Sequence, residues 1–211
     1  PYTPLHLLLF RHPCVRISYR HLIMTSGNLK GEPIVTDPAE ALRKLGGIAD
    51  LFLSHDRRIL FRTDDSILRL GASRVPILLR RSRGYVPGLV TLAHPVSKIT
   101  LGLGGDLKSA PALARSADVY LAPFIGDLED PVTFRDFERQ IDRILALYEV
   151  RPEVLVHDLH PLYHSTLWAE GFLAERKIGV QHHHAHLLAV MAEYGLEQAA
   201  GMAFDGTGYG T

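Results

Sequence analysis

Apolar residues and capping residues predict three helices. Residues 134–148 place an apolar side chain at every third or fourth position, and Thr133 is placed to cap this helix. A second helix carries apolar side chains at 187, 188, 190, 191 and 194, and Gly195 is placed to end it. A third helix is predicted from Pro38 to the glycines at 46 and 47, with Asp37 as its cap. We expect the helix at 134–148 to be a packing element.

Short apolar runs between these helices predict strands. The runs cover residues 22–24, 51–53, 59–61, 66–70, 75–79, 96–104, 112–114, 119–122, 154–156 and 199–204. We interpret the last of these as a buried strand that delivers Asp205 at its carboxyl end. The mixture of helices and strands predicts an α/β (α+β) fold. The GYVPG segment at 84–88 is interpreted as a linker that divides the chain into domains at 1–88 and 92–211.

The charge and cysteine content exclude several classes of protein. Lys plus Arg and Asp plus Glu both total 23 among 211 residues, so no global field recruits nucleic acid or membrane, although a local basic patch is allowed. The single cysteine, Cys14, rules out an internal disulfide framework and fits a reducing compartment. No apolar run approaches the ~20 residues of a membrane helix, and no signal pattern opens the chain. We therefore expect a soluble, cytoplasmic protein.

Histidines supply the first candidate chemistry. The chain has 12 of them, concentrated in the carboxyl-terminal third. His182 and His186 are four residues apart, so on a helix their imidazoles leave one face a single turn apart, which suits two ligands of one metal ion. Asp205 can complete such a site or hold a magnesium ion. By spacing alone, a metal site and a polar helix start without a ligand role are about equally favoured.

Glycine-rich segments supply the second candidate chemistry. Residues 101–109 predict a hairpin whose turn presents backbone N–H groups and the Lys108 ammonium to a phosphate, although a plain hairpin is the alternative. Gly206, Gly208 and Gly210 also leave room for a phosphate at the backbone. Residues 25–33 combine two hydroxyls, an amide and two glycines, which suit a phosphate or a carboxylate. Composition alone favours a polar turn there.

Two further groups of polar residues have open interpretations. Residues 157–161 (HDLHP) follow a buried strand, where α/β folds place ligands, but a short loop can also simply be exposed. Arginines among the predicted strands of the first domain form either a solvated face or a clamp for an anionic nucleotide. They are Arg57, Arg58, Arg62, Arg69, Arg74, Arg80, Arg81 and Arg83.

Motifs in both halves of the chain resemble one known family. The first half contains MTSGNLKGEP (24–33), HDR (55–57), DDS (64–66) and LRRSRGYVP (79–87). Together they resemble the second half of a YrdC-like domain, in the version found in the hydrogenase-maturation carbamoyltransferases of the HypF family. The second half is similar to the carbamoyl-transfer domain of that family in FIGDLE (124–129), HDLHP (157–161), ST (165–166), QHHHAH (181–186) and FDGTGYG (204–210).

The resemblance implies a fold and a domain order. The carbamoyl-transfer domain is related to the catalytic subunit of the tRNA threonylcarbamoyl-transferases and to the actin-like ATPases. The chain would be a partial YrdC-like α/β domain at 1–88, followed by the first lobe of an actin-like (ASKHA, Kae1-like) domain at 92–211. The similarity runs in the same order over nearly the whole chain, which indicates an internal fragment of such a protein. We therefore expect the 211-residue chain alone to be inactive.

The resemblance also implies roles for individual residues. His182, His186 and Asp205 match the metal ligands of the family, whose further aspartate ligand has no position before Thr211. The nucleotide-binding candidates, from the family pattern and the glycine-rich turns, are Ser26, Asn28, Arg80, Gly104, Gly105, Lys108, Gly206 and Gly208. The candidates for substrate contact are His157, Asp158, His160, His183 and His184.

The implied activity is carbamoyl transfer in the maturation of [NiFe] hydrogenase. Carbamoyl adenylate would form from carbamoyl phosphate and ATP with magnesium, and the carbamoyl group would pass to the C-terminal cysteine of a HypE-type partner as the precursor of a cyanide ligand. The implied metal is divalent iron or zinc. One alternative is a threonylcarbamoyl-type protein acting on tRNA, which predicts RNA affinity that falls with salt. Another is a non-catalytic metal-binding module. Under the main interpretation we expect neither membrane nor nucleic acid as a partner.

Overall fold

The structure is a computed structural model that describes residues 3–72, 74–206 and 208–210. Within these ranges the helices are α1 (Pro4–Phe10), α2 (Pro38–Leu45), α3 (Pro131–Tyr148), α4 (His164–Gly171) and α5 (His182–Tyr194). The strands are β1 (Ile67–Leu70), β2 (Pro76–Arg80), β3 (Leu89–Thr91), β4 (Thr100–Gly102), β5 (Ala112–Arg115), β6 (Asp118–Leu121), β7 (Val154–Asp158) and β8 (Arg176–Val180). The predicted α/β class is confirmed. Among the described residues, no helix combines the length and the apolar character needed to cross a membrane.

Six strands form the sheet that carries the candidate site. Their order is β3-β6-β5-β4-β7-β8, with β1 and β2 forming a separate hairpin. The first four strands in this order, β3, β6, β5 and β4, pair antiparallel with one another. The last three, β4, β7 and β8, run parallel. β3 occupies the three residues between the two predicted domains and joins the larger sheet by pairing with β6. Because three neighbouring strands are parallel, their carboxyl ends meet at one edge of the sheet.

One face of this sheet is covered by α3. Leu101 of β4 and Leu155 of β7 are buried in one cluster with Phe137 and Ile141 of the helix, all with 0% exposure. The helical period of the sequence explains this packing, since positions 137, 141 and 144 lie on one face of α3. α4 packs against β7 and adds Ala169 to the same cluster. This core fixes β4 and β7, from which the site is built.

α3 begins earlier than predicted. Its cap is Asp130 rather than Thr133, and Pro131 takes the first helical position. The Asp130 carboxylate accepts hydrogen bonds from the backbone N–H groups of Val132 and Thr133 at 2.9 and 2.8 Å. It also accepts one from the Thr133 hydroxyl at 3.1 Å. Asp130 therefore satisfies two of the unpaired donors of the first turn, and a proline at the next position needs no partner.

The other two predicted helices are confirmed. α2 begins at Pro38, where Asp37 accepts a hydrogen bond from the backbone of Glu40 at 2.9 Å. α5 ends at Tyr194, and Gly195 takes a left-handed conformation with φ of 63°. Such a conformation is favourable for glycine because it has no Cβ. α1 and α4 are additional helices for which we had no prediction.

Four of the predicted strands are wrong. Residues 22–24, 51–53, 59–61 and 199–204 form neither strand nor helix. The side chains of Ile23, Leu51 and Phe204 are more than nine-tenths exposed. A strand needs a neighbour that completes its backbone hydrogen bonds, and the described residues provide none for these segments. The remaining predicted strands are present, although the run at 96–104 contributes only Thr100–Gly102.

Candidate metal centre

Two imidazoles and a carboxylate converge at the start of α5. Nε2 of His182 lies 3.2 Å from Nε2 of His186 and 2.8 Å from Oδ2 of Asp205. Nε2 of His186 lies 3.2 Å from the same oxygen. The ligand atoms that these residues offer all lie within 4.8 Å of one another. The structure thus brings together the three residues that the sequence suggested as metal ligands.

α5 supplies two of these side chains because of where it begins. Gln181 caps the helix by accepting a hydrogen bond from the backbone of His184 at 2.8 Å. His182 is therefore the first helical residue, and His186 follows about one turn later, with the two ring centroids 4.8 Å apart. Asp205 comes from the irregular segment after the helix, where its Oδ1 accepts from the backbone N–H of Gly206 at 2.7 Å. Oδ1 of Asp205 thus stabilises the local backbone at Gly206, while Oδ2 faces the two histidines.

The parallel strands bring His182 against Asp158. β7 ends at Asp158, which is in register with Val180 at the end of β8. His182 follows two residues later, and its Nδ1 lies 2.6 Å from Oδ2 of Asp158. The other oxygen of Asp158 accepts from the backbone N–H of His160 at 2.8 Å. His182 is therefore held between two carboxylates, one at each ring nitrogen.

These carboxylates determine the charge of the centre. Burial lowers the pKa of His182, but the hydrogen bonds to Asp158 and Asp205 outweigh it, so the pKa is raised overall. The pKa of Asp205 is lowered, first by its hydrogen bond to His186 and then by that to His182. A doubly protonated His182 donates to both carboxylates. The two carboxylates therefore favour a positive charge on the His182 ring, on the side that faces Asp205.

A glycine-rich turn lies beside the pair formed by Asp158 and His182. β4 ends at the same edge of the sheet as β7 and β8, so Gly104 and Gly105 follow it into the site. A Cβ atom at position 105 would lie 3.4 Å from Cε2 of Tyr163 and 3.6 Å from Cε1 of His182. A Cβ atom at position 105 would thus be in ordinary van der Waals contact with both rings, so the turn lies directly beside His182.

Asp106 fixes this turn, and we did not predict that role. It is 5% exposed and accepts hydrogen bonds from the backbone and Nδ1 of His164, both at 2.8 Å. It also accepts from the backbone and the hydroxyl of Ser165, at 3.1 and 3.2 Å. Asp106 thereby caps the start of α4 across a separation of 58 residues. Because Asp106 is so far in sequence from α4, the residues around the start of that helix do not indicate its capping role.

A cavity of about 960 Å³ opens beside the centre. It is lined by candidate residues from both halves of the chain, namely Arg80, Gly104, Gly105, Lys108, His157, Asp158, His182 and His186. The guanidinium of Arg80 lies 4.3 Å from the centroid of the Phe124 ring and 3.8 Å from Asp64. The backbone N–H of Lys108 donates to Asp127 at 2.9 Å, and the residue is exposed. Arg81 also lines the cavity, so three cationic residues and two of the candidate ligands share it.

The remaining nucleotide-binding candidates lie elsewhere. Ser26 is exposed, and the Asn28 amide donates to the backbone oxygens of Leu29 and Glu32 at 3.0 and 2.9 Å. Asn28 therefore stabilises its own loop, and neither residue lines the cavity. Gly206 and Gly208 flank Thr207, which lies outside the described residues.

The candidates for substrate contact divide into two groups. His157 lines the cavity, and its Nδ1 lies 2.7 Å from the backbone oxygen of Asp158. His160 stacks on Tyr163 with the ring centroids 4.1 Å apart. By contrast, His183 turns its buried Nε2 toward Gly208, and His184 is exposed on the surface of α5. His183 and His184 thus lie away from the cavity, because they are off the helix face that His182 and His186 share, and this arrangement does not support the substrate contact expected for them.

Comparison with known proteins gives the class of the chain. A family model described as the HypF Kae1-like domain matches residues 95–193. A second model, of the Sua5, YciO and YrdC family and described as telomere recombination, matches residues 1–82. The two models match successive segments of the chain, a YrdC-type segment followed by a Kae1-like one.

Relatives that match over the whole chain give the family. Carbamoyltransferase HypF of Synechocystis sp. is 44% identical over 99% of this chain and 27% of its own length. Probable carbamoyltransferase HypF of Methanocaldococcus jannaschii is 39% identical over 100% of this chain and 27% of its own length. The chain belongs to the HypF family of carbamoyltransferases and spans about 27% of the length of these two relatives.

Solved structures support the same assignment. The crystal structure of full-length HypF in its phosphate- and nucleotide-bound form matches with a TM-score of 0.82 and 42% identity, over 89% of this chain and 30% of that one. HypF of T. kodakarensis matches with a TM-score of 0.80 and 34% identity, over 89% and 25%. Both the predicted family and the predicted fold class are confirmed.

Proposed function

We propose that the protein containing this chain transfers a carbamoyl group to a protein thiol during [NiFe]-hydrogenase maturation in the cytoplasm. The observation that carries the proposal is the convergence of His182, His186 and Asp205 beside the glycine-rich turn. Its relatives are named carbamoyltransferases, and one of them was solved with phosphate and nucleotide bound. The cavity beside the centre is lined by Arg80, Arg81 and Lys108, whose positive charges suit a phosphorylated substrate.

The donor set fits a divalent transition metal. Two imidazole nitrogens and one carboxylate oxygen are ligands that both iron and zinc accept, and the exposed side of the centre leaves room for further ligands. Nε2 of His182, Nε2 of His186 and Oδ2 of Asp205 would hold the ion. When bound, it supplies a Lewis acid able to polarise a carbamoyl carbonyl.

The other residues of the cavity bind and orient the phosphorylated substrate. Lys108 and Arg80 provide positive charge for the phosphates of ATP with magnesium, and for the adenylate formed from carbamoyl phosphate. Because Gly104 and Gly105 carry no side chains, a substrate can approach the protein backbone of this turn beside His182. The thiolate of the C-terminal cysteine of a HypE-type partner attacks the carbamoyl carbon. The new C–S bond forms as the bond to the phosphate oxygen breaks and AMP leaves, so no nucleophile on this chain is required.

The metal proposal is tested by measuring metal content and by zinc and iron(II) titration of the purified chain. We expect stoichiometric metal in the wild type and its loss in both His182→Ala and Asp205→Ala, because each removes a ligand atom from the cluster. His94→Ala is the matched control, since His94 is an exposed histidine outside the cavity. A folded wild-type chain that binds no metal would contradict the ligand set.

The transfer proposal is tested by nucleotide binding and by activity in a protein of full family length. We expect calorimetry to detect ATP and AMP binding that weakens in Lys108→Ala, because the variant removes a cation from the cavity. Binding of metal without nucleotide would favour a non-catalytic metal-binding module. Salt-sensitive RNA binding would favour the tRNA-modifying alternative. Carbamoyl transfer by the 211-residue chain itself would overturn the expectation that it is inactive alone.

A further inference from the structure

We propose that Asp158 is a positioning residue that fixes the ring of His182, so that its Nε2 lone pair faces the metal. This inference rests on the metal site proposed above and gives Asp158 a different role from the substrate contact expected from the sequence. Its basis is the 2.6 Å contact between Oδ2 of Asp158 and Nδ1 of His182. An ionised carboxylate only accepts hydrogen bonds, so Nδ1 carries the hydrogen. In a neutral imidazole the lone pair is then on Nε2, which is the atom that faces His186 and Asp205.

Asp158 is itself held in a fixed orientation. It ends β7, where its backbone oxygen accepts from the hydroxyl of Thr166 at 3.1 Å. Its Oδ1 accepts from the backbone N–H of His160 at 2.8 Å. With Oδ2 bonded to His182, both carboxylate oxygens have a partner inside the protein. A carboxylate whose two oxygens are both hydrogen-bonded is held in one orientation, and it can therefore set the orientation of the ring that it contacts.

Although Asp158 lines the cavity, its side chain presents little surface to a substrate there. Its side chain is 5% exposed, whereas that of Asp205 is 34% exposed. The turn at Gly105 approaches it, since a Cβ atom at that position would lie 3.9 Å from Oδ2 of Asp158. A buried carboxylate whose two oxygens each already have a partner is better placed to orient a neighbouring side chain than to hold a substrate.

The two histidines differ in this support. In the described part of the chain, no hydrogen bond reaches Nδ1 of His186, and its side chain is 57% exposed. His182 is 18% exposed and has a partner at each ring nitrogen. We infer that Asp158 makes His182 the preorganised ligand of the centre, and that His186 completes the site.

The test compares zinc affinity, by competition with a chromophoric chelator, among the wild type, Asp158→Ala and Asp158→Asn. Loss of such a carboxylate partner typically weakens metal binding about 10- to 100-fold, and we expect this range for Asp158→Ala. Asp158→Asn keeps an accepting oxygen in place, so its loss should be smaller. It also serves as the second variant if alanine prevents folding.

The matched control is Asp106→Asn. Asp106 is likewise buried and bonded to a histidine Nδ1, at 2.8 Å, but its partner His164 is not part of the metal cluster. Because Asp106 makes no contact with the metal cluster itself, we expect this variant to lose stability and to lose less zinc affinity than Asp158→Asn does. If the role of Asp158 were purely structural, Asp158→Asn and Asp106→Asn would change stability and zinc affinity in the same way.

A spectroscopic measurement reads the position of the hydrogen directly. Long-range ¹H–¹⁵N spectra of the zinc-loaded wild type should show Nδ1 of His182 protonated and Nε2 bound to metal. In Asp158→Asn the shifts should move toward a mixture of the two arrangements, because the amide can also donate. Unchanged affinity and unchanged histidine shifts in folded Asp158 variants would overturn the inference, as would an equal loss of affinity in Asp106→Asn. Failure of the folded wild type to bind zinc is a different result, because it would refute the metal site itself.

Discussion

The three side chains of the candidate centre differ in how firmly the protein holds them. His182 is the first residue of α5 and is bonded on both sides of its ring. His186 is on the same helix but is largely exposed. Asp205 lies in a segment without helix or strand, and such segments move more than the elements that they join. Among the three candidate ligands, His182 is therefore the most firmly held, and Asp205 has the most freedom to adjust its position.

At the residue scale, Gly104 offers a test of the glycine-rich turn. Its φ is 73°, in the left-handed region, where an L side chain costs roughly 1–2 kcal/mol. We expect Gly104→Ala to lower the free energy of unfolding by about 1 kcal/mol, measured by urea titration. Gly102→Ala is the control, because a Cβ atom there would meet no other atom closer than 3.8 Å and its φ is not left-handed. Equal losses in the two variants would contradict the conformational explanation.

Local spacing made some of these residues predictable. The separation of His182 and His186 places both rings on one face of any helix, whatever the rest of the fold does. The role of Asp158 could not be predicted in the same way, because its contact with His182 depends on the register of β7 against β8. Asp106 is similar, since it meets α4 only after the sheet has formed.

At the scale of elements, helices were predicted better than strands. α2, α3 and α5 each combine a capping residue with a periodic apolar face, and both signals are local. The run at 199–204 has the composition of a buried strand, yet it stays irregular because the described residues offer it no partner strand. The start of α3 was misplaced because Asp130 and Thr133 are both good capping residues, and only the position of Pro131 favours the first.

The cap of α3 should contribute measurably to stability. Asp130→Ala removes the acceptor for Val132 and Thr133, and we expect a loss of about 1 kcal/mol in the free energy of unfolding. Asp130→Asn keeps an accepting oxygen and should lose less. Urea titrations of the three proteins at neutral pH would measure both effects. A larger loss in the asparagine variant than in the alanine variant would contradict the capping role.

The charge of this cap predicts a dependence on pH. Burial raises the pKa of Asp130, but the hydrogen bonds from Thr133 and Val132 outweigh it, so the pKa is lowered from its usual 3.8. A carboxyl whose pKa is lowered by folding stabilises the fold above its unfolded pKa, and loses that contribution as pH falls through the folded value. The stability difference between the wild type and Asp130→Asn should therefore be present at neutral pH and shrink in acid below 3.8. Urea titrations at a series of falling pH values would measure it, and a difference that grew on acidification would have the wrong sign.

At the scale of the whole molecule, the two predicted domains are in direct contact. Arg80 lies over the ring of Phe124, and the guanidinium of Arg143 lies 5.2 Å from the centroid of the Phe61 ring. The order of the two domains was predictable because each carries its own motifs along the chain. The contacts between the two domains were not predictable, because they join residues that are far apart in sequence. No local spacing pattern marks such residues as partners. A further contact between the domains is an ion pair between Arg62 and Asp136 of α3.

This ion pair should stabilise the contact between the domains more than an exposed pair would. Both side chains are largely buried, at 13% and 15% exposure, and burial lowers the pKa of Arg62. Removal of one partner leaves a poorly solvated charge, so we expect a double-mutant cycle of Arg62→Ala and Asp136→Ala to give a coupling of about 1–3 kcal/mol in urea unfolding. The matched cycle uses Glu40 and Arg43, a pair at 4.0 Å in which Arg43 is 71% exposed. There we expect less than about 0.5 kcal/mol, because solvent screens exposed pairs. A coupling at Arg62 as small as that of the exposed pair would mean that the two domains are held together by the aromatic contacts instead.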